Sequence, residues 1–348
     1  MSDRSLYDLE RSELEEFFSG LGERSYRSGQ VWQGAYIDLA PSYDEITTLS
    51  KALRAKLARE LPFGALQVAS TVESRDKRTH KTLFKLADGE TIETVLMLYD
   101  LRRTICVSTQ VGCAIGCAFC ATGKSGFTRN LSAGEIVAQV LHYARNLASL
   151  GERITNIVYM GMGEPFLNYD AVMKSIRILN DHEGFNLGAR SFTVSTVGII
   201  PGIERFTQED LQVKLAISLH AGDDQLRTRL VPINARYPLG PLMASCRAYV
   251  RKTHRRLTFE IALIDGVNDS GEDAKKVAKL LAGLLCHVNL IPLNPIPGST
   301  FRPSPRERVD AYAQELTGAG INTTVRVGRG VKISAGCGQL RGRLSQHD

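Results

Sequence analysis

The chain has 348 residues, 43% of them hydrophobic, and a formal net charge of +6, enough to bury one large core with an appendage. No apolar run reaches the roughly 18–20 residues of a bilayer span, and the opening MSDRSLYDLERSELEEFF lacks the pattern of a secretion signal. The expectation is a soluble cytoplasmic protein whose seven unevenly spread cysteines bind metal or react rather than form a disulfide framework, and whose mild positive charge permits a nucleic-acid partner without requiring one.

Residues 1–62 read as a small helical accessory domain. Leu14, Phe17, Phe18 and Leu21 keep helical spacing up to Gly20 and Gly22. A second helix fits 26–38 with Val31, Trp32 and Tyr36 inward. A third fits 49–60, with Leu49, Leu53 and Leu57 on one stripe and Arg54, Lys56 and Arg59 facing out. That basic face suits either RNA or plain solvent. Residues 63–98 form a β-rich connector, in which ALQVASTV, KTLFKL and TIETVLML are short strands of an antiparallel meander. The first turn is crowded with Arg75, Lys77, Arg78, His80 and Lys81, a candidate phosphate contact.

From 99 to 340 strands and helices alternate. Strands are expected at 103–109, 154–160, 191–197, 212–219, 257–264, 287–293 and 323–328. Helices are expected at 132–149, opened by the capping pair Ser132 and Glu135, and at 169–180, 239–252, 271–284 and 305–317. This alternation implies an α/β fold of parallel βαβ units, six of which suit an incomplete barrel better than a closed one of eight. Ligands in such folds collect at the carboxyl ends of the strands.

The loop after the first of these strands reads CAIGCAFC and places Cys113, Cys117 and Cys120 in a C-x3-C-x2-C array. Three thiolates in one short loop can hold three corners of an iron–sulfur cube, where electron carriers bring four cysteines. The fourth iron is then open to a substrate. A zinc site would require a second cysteine pair, which the sequence lacks. With Phe119 before the last cysteine, the array resembles that of the radical S-adenosylmethionine (SAM) superfamily. There the open iron chelates SAM, and an electron from the cluster cleaves it to a 5′-deoxyadenosyl radical.

Other strand ends carry candidate ligand groups. GMGEP supplies Gly163 for close backbone approach and Glu164 as a carboxylate for an ammonium, although an ordinary tight turn has the same composition. Ser195, Ser218, Leu219, His220 and Asn294 close later strands as either SAM contacts or satisfied strand ends. Cys246 and Cys286, in LMASCRAYV and LAGLLCHVNL, read as packed core in helical settings. Cys106, on the strand leading into the cluster loop, and Cys337, between Gly336 and Gly338, show no metal-ligand spacing.

The combination of IETV, CVSTQVGCAIGCAFCATG, GMGEPFLNYD, SLHA, NLIPLNPIPG and SAGCGQL, across almost the whole chain, resembles the radical SAM adenine-C2 methyltransferases of 23S rRNA and tRNA. The resemblance implies a 4Fe-4S cluster on Cys113, Cys117 and Cys120, and two SAM molecules per turnover. One SAM methylates Cys337; the other yields the radical that takes a hydrogen atom from that methyl group. The methylene radical adds to C2 of an unpaired adenine, Cys106 helps to resolve the adduct, and Glu93 of IETV accepts a proton. By the same resemblance Gly163, Glu164, Ser195, Ser218, Leu219, His220 and Asn294 surround SAM. It further implies a monomer fed by an electron donor such as flavodoxin or ferredoxin. Arg227 and Arg229, residues 251–256, and Arg326, Arg329 and Lys332 are added candidates for gripping RNA phosphates. Two alternatives stand beside this reading: the sister family that methylates C8 of the same rRNA adenine, and a non-enzymatic iron–sulfur protein that binds RNA or carries electrons.

Overall fold

The computed structural model describes residues 4–64, 66–326 and 330–340, all but the Lys332 side chain. It opens with helices α1 (Arg11–Gly20), α2 (Tyr26–Tyr36) and α3 (Lys51–Glu60). Three strands follow, β1 (Gln67–Glu73), β2 (Thr79–Lys85) and β3 (Thr91–Leu98). The larger unit runs β4 (Arg103–Cys106), β5 (Gln110–Gly112), α4 (Ala121–Lys124), β6 (Phe127–Asn130), α5 (Ala133–Ala148), β7 (Asn156–Tyr159), α6 (Tyr169–Asn180) and β8 (Phe192–Thr196). It continues α7 (Ile200–Phe206), β9 (Lys214–Ser218), α8 (Asp224–Leu230), α9 (Leu239–Thr253), β10 (Leu257–Leu263), α10 (Gly271–Leu281), β11 (Cys286–Pro292), α11 (Arg306–Gly318) and β12 (Asn322–Val325).

Ten strands make one sheet in the order β1-β2-β3-β4-β7-β8-β9-β10-β11-β12. From β4 to β12 every pairing is parallel. The β1–β3 meander joins the same sheet antiparallel, with Val95 opposite Cys106. Among the described residues β1 and β12 each pair with a single strand, so the sheet curves into an incomplete (β/α)6 barrel. On the face of the parallel strands turned away from Cys106, residues such as Ile105, Ile157, Val194, Ile217, Phe259 and Val288 are essentially solvent-free. Each such side chain contributes about 1.5–3 kcal/mol on burial.

Helix starts follow the sequence. Ser132 accepts from the Glu135 N–H at 3.1 Å while Glu135 accepts from the Ser132 N–H at 2.9 Å, closing the box that opens α5. Ser270 and Asp273 do the same for α10. The N-terminal module docks on α5: Asp8 accepts from the Gly134 N–H at 2.6 Å, and the Arg145 guanidinium donates to the Tyr7 hydroxyl at 2.6 Å. Two expectations change here. Arg54 and Lys56 do not face freely outward, because they donate to the carbonyls of Asp44 and Leu21 and staple the module together. Cys286 is buried as expected, but as the first residue of β11 and not within a helix.

Candidate active site

One cavity gathers residues from many strand ends. Its walls include the thiol-bearing Cys106, Cys113, Cys117, Cys120 and Cys337, together with Phe119, Gly163, Glu164, Ser195, Ser218, His220, Glu260, Asn294 and Arg326. The sequence places Cys106 and Cys337 far apart, and the fold brings both to one chamber.

The cysteine loop is fastened on two sides. Cys113 N–H donates to the Gly126 carbonyl at 2.7 Å, and Ala118 N–H to the Leu230 carbonyl at 3.0 Å. Gly112 enters the loop at φ +74, where a Cβ would lie 1.9 Å from the Gly126 oxygen, so no side chain fits. All three thiols are half-buried. Burial pushes the Cys113 thiol up to about 12 and raises Cys117 well above its ordinary value, with the neighbouring cysteines and Glu164 adding to both effects. Such crowding of electron-rich groups is relieved by a cationic centre. Among the described residues no three His, Cys, Asp or Glu side chains converge on a point fit for one ion. Three thiols on one loop could hold three corners of an iron–sulfur cluster, whereas a structural zinc ion takes four protein ligands.

Beside them stands Glu164, 3% exposed. Its two carboxyl oxygens accept from the N–H groups of Phe166 at 3.0 Å and Val197 at 2.9 Å. Burial pushes it up to about 7 against those hydrogen bonds. A ligand ammonium entering the cavity would favour its ionised form. Gly163 passes Gln110 and Thr109 at φ +104, where a Cβ would sit 2.7 Å from both side chains. Ser195 and Ser218 meet across β8 and β9 with hydroxyls 3.4 Å apart. His220 accepts the Ala262 N–H on Nδ1 at 3.0 Å, and its ring lies edge-on to Phe119 at 4.7 Å. Burial lowers His220 to about 3, so it stays neutral at pH 7. Leu219 differs from its neighbours: its side chain is fully buried and does not line the cavity, while its backbone is held by Glu260 and Arg227.

Cys337 opens onto the cavity, with solvent reaching it although protein atoms surround it. Its loop is clamped from three directions. The Asn294 amide donates to the Cys337 carbonyl at 3.1 Å, Ala121 N–H donates to the Gly338 carbonyl at 2.7 Å, and the Thr122 hydroxyl donates to the Leu340 carbonyl at 2.7 Å. The helix after the cysteine loop thus holds the Cys337 segment directly. Burial raises the Cys337 thiol and the neighbouring Arg326 guanidinium pulls it back. Cys106 is pushed up to about 12 by burial and by Cys337 itself, which places the two thiols in each other's field.

Glu93 is not among the cavity-lining residues. It lies 2% exposed on β3, paired with the Lys81 ammonium at 2.7 Å. A surface carboxylate is thereby excluded.

Some of the expected phosphate contacts are engaged inside the fold, and others lie away from the cavity. Arg227 is completely buried and donates to the Leu219, Ser218 and Val197 carbonyls and to Asn234. Arg326 faces Glu260 at 3.6 Å inside the cavity. Lys81 is spent on Glu93. Residues 251–256 precede β10 at its amino end, so the seven-residue strand puts about 23 Å between them and its carboxyl end. The 75–78 tip also lies at that end of the sheet, since Leu98 N–H donates to the Arg78 carbonyl where β3 turns into β4. Arg229 and Arg236 are exposed at the carboxyl side of β9, next to the Leu230 carbonyl that holds the cysteine loop. Arg329 and the Lys332 side chain lie outside the described residues.

Sequence reasoning missed Glu260, a buried carboxyl in the cavity wall that accepts from the Asn289 amide at 2.8 Å. The signal was a lone charge inside the apolar run LTFEIALI. It also missed Gln139, whose amide bridges Thr94 and both backbone groups of Ser108 beneath the site.

Family comparisons agree with this geometry. Residues 107–281 match the model of the Radical SAM superfamily, and residues 4–62 match the ribosomal RNA large subunit methyltransferase N-terminal domain. A probable dual-specificity RNA methyltransferase RlmN of Chloroflexus aurantiacus is 50% identical, covering 99% of this chain and 94% of that protein. One of the same name from Geobacillus kaustophilus is 47% identical, covering 97% and 93%. The crystal structure of a radical SAM methyltransferase from Sphaerobacter thermophilus is 56% identical and superposes with a TM-score of 0.97, covering 98% of this chain and all of that one.

Proposed function

Since the chain belongs to the RlmN family of radical SAM RNA methyltransferases, we propose that it methylates C2 of an adenine in 23S rRNA and of the adenine beside the tRNA anticodon, with Cys337 as methyl carrier. The observation that carries this reading is the meeting of Cys106 and Cys337 in the cavity that the three-cysteine loop also lines. An electron-transfer protein has no use for two further thiols there.

C2 of adenine is electrophilic, so it does not attack the electrophilic methyl of SAM. Cys337 solves this by becoming nucleophilic first. Its thiolate takes the methyl group from one SAM, leaving S-adenosylhomocysteine. A 4Fe-4S cluster held by Cys113, Cys117 and Cys120, with a second SAM against Glu164, supplies a 5′-deoxyadenosyl radical when bound. The Cys337 S-methyl group would give one hydrogen atom to that radical, and its methylene carbon would bond to C2. The adduct would return one electron to the cluster and give up the C2 proton, which Glu93 accepts. Cys106 thiolate then attacks the Cys337 sulfur. The sulfur–methylene bond breaks with its electron pair on carbon, which takes up a proton to become the new methyl group. The resulting Cys106–Cys337 disulfide must be reduced for the next turnover, in keeping with a reducing cytoplasm. An electron donor such as flavodoxin or ferredoxin and a monomeric enzyme belong to the same proposal. The target adenine must be unpaired or extruded to enter the cavity.

The test is digestion of 23S rRNA and tRNA after reaction with reconstituted enzyme, SAM and a reductant, with nucleosides resolved by mass spectrometry against authentic standards. The reading expects 2-methyladenine nucleosides in both RNAs. An 8-methyl product would assign the sister activity, and unmethylated RNA with intact SAM would overturn the enzyme reading altogether.

A further inference from the structure

Lys81, which the sequence offers as a phosphate contact, touches two parts of the proposed machinery. It sits on β2 with its side chain 14% exposed, and its ammonium lies 2.7 Å from a Glu93 carboxyl oxygen. The same ammonium donates to the Ser334 carbonyl at 3.4 Å, three residues before Cys337. The sheet register explains the encounter. Lys81 pairs with Val95 and Leu83 with Glu93, so Lys81 and Glu93 are diagonal neighbours on one face, and Val95 also stands opposite Cys106. Holding an ammonium this far from water is costly unless it is paired and hydrogen-bonded. Both contacts supply that compensation, and together they link β3 to the segment carrying Cys337.

We propose that Lys81 is a positioning residue, which fixes the Glu93 carboxylate relative to the Cys337 segment so that proton acceptor and methyl carrier keep one geometry. The inference rests on the roles proposed above for Glu93 and Cys337. Lys81 itself transfers nothing. Its ammonium aims the carboxylate and ties down the backbone at Ser334. An arginine has the reach and charge to replace it in part; methionine, of similar length, has neither charge nor donor.

The experiment compares full-length, cluster-reconstituted wild type with Lys81→Met, Lys81→Arg, Glu93→Gln and the Lys81→Met/Glu93→Gln double variant. Cluster absorbance and melting temperature establish that each is folded and loaded. The readouts are methyladenine formed per enzyme and the methyl group on Cys337 by peptide mass. The expected result is a loss of roughly 10²-fold in methyladenine for Lys81→Met, the scale of a misplaced general base, with Cys337 still methylated and Lys81→Arg within about tenfold of wild type. Because Lys81 acts through Glu93, the double variant should be no worse than Glu93→Gln alone. Additive losses in the double variant would overturn the inference, as would a fully active Lys81→Met beside a crippled Glu93→Gln, which leaves the role of Glu93 standing. A fully active Glu93→Gln would instead remove the underlying reading.

Discussion

Arg227 separates a structural account from a charge-counting one. The sequence offers it as a phosphate contact, whereas the fold buries it completely and gives it four acceptors: the carbonyls of Leu219 at 3.0 Å, Val197 at 2.6 Å and Ser218 at 3.2 Å, and the Asn234 amide oxygen at 2.7 Å. Burial lowers it to about 10, so it remains charged at neutral pH. Arg227→Met strands these acceptors at about 1–3 kcal/mol each, while relieving the several kcal/mol spent on desolvating the cation. The net loss is about 3–5 kcal/mol. An unfolding entropy of about 2.1 cal/mol/K per residue over the 348-residue chain converts that to a melting-temperature drop of about 4–7 °C. Because the freed carbonyls end β9 and follow β8, SAM affinity should fall as well. Calorimetry and equilibrium dialysis with SAM read the two effects, and Arg227→Lys should fall between, since one ammonium cannot span four acceptors. An unchanged melting temperature with a shallower salt dependence of RNA binding would refute the reasoning.

Other outcomes follow from the same structure. Burial raises the Glu260 carboxyl despite Arg326 and the Asn289 amide, so the folded state holds that proton more tightly than the unfolded chain. Stability should therefore fall as pH rises from the ordinary carboxylate range through the raised value. Melting scans from pH 5 to 8 should show Glu260→Gln gaining on wild type with pH, and a constant difference would exclude that linkage. Reversing Arg229 and Arg236 to glutamate should weaken RNA binding and flatten the slope of log affinity against log salt by about 1.4–1.8, at roughly 0.7–0.9 per phosphate contact. Reversing Arg75 and Lys77, at the amino end of the sheet, should leave the slope near wild type, and filter binding at several salt concentrations distinguishes the pair. Gly163→Ala forces a Cβ into Gln110 and Thr109 at φ +104. It should abolish SAM binding in dialysis while the N-terminal module stays folded, and a tight complex would show that the turn is not the SAM cradle.

Much of the barrel was legible because its signals are local. The helix expected at 169–180 is Tyr169–Asn180, and TIETVLML is β3 from end to end. Short elements were missed where local signals conflict. Helix α7 opens on IPG, whose proline and glycine read as a loop, although proline is well placed in a first turn. Helix α8 is a seven-residue charged segment with little apolar period, stabilised by its Asp223 cap and by the burial of Leu226, Arg227 and Leu230. The run LLCHV contains no marker of where the helix stops, so Cys286 was placed on the wrong element. At the site, the cysteine spacing and the strand-end motifs were visible. The direction of a long cation was not, and that is why Arg227, Arg326 and Lys81 were read as surface charge. A side chain's inward turn depends on which carbonyls and carboxylates the fold leaves needing a donor, and that is set only in three dimensions.

The central claim, that Cys337 carries the methyl group, is tested most directly by peptide mapping of the protein purified from cells replete in SAM. A mass increase of one methyl group on the peptide containing Cys337, absent from Cys337→Ala and undiminished in Cys106→Ala, is the predicted result. A bare Cys337, even after reduced and cluster-loaded protein has been incubated with SAM, would contradict it and assign the cluster to a different radical chemistry.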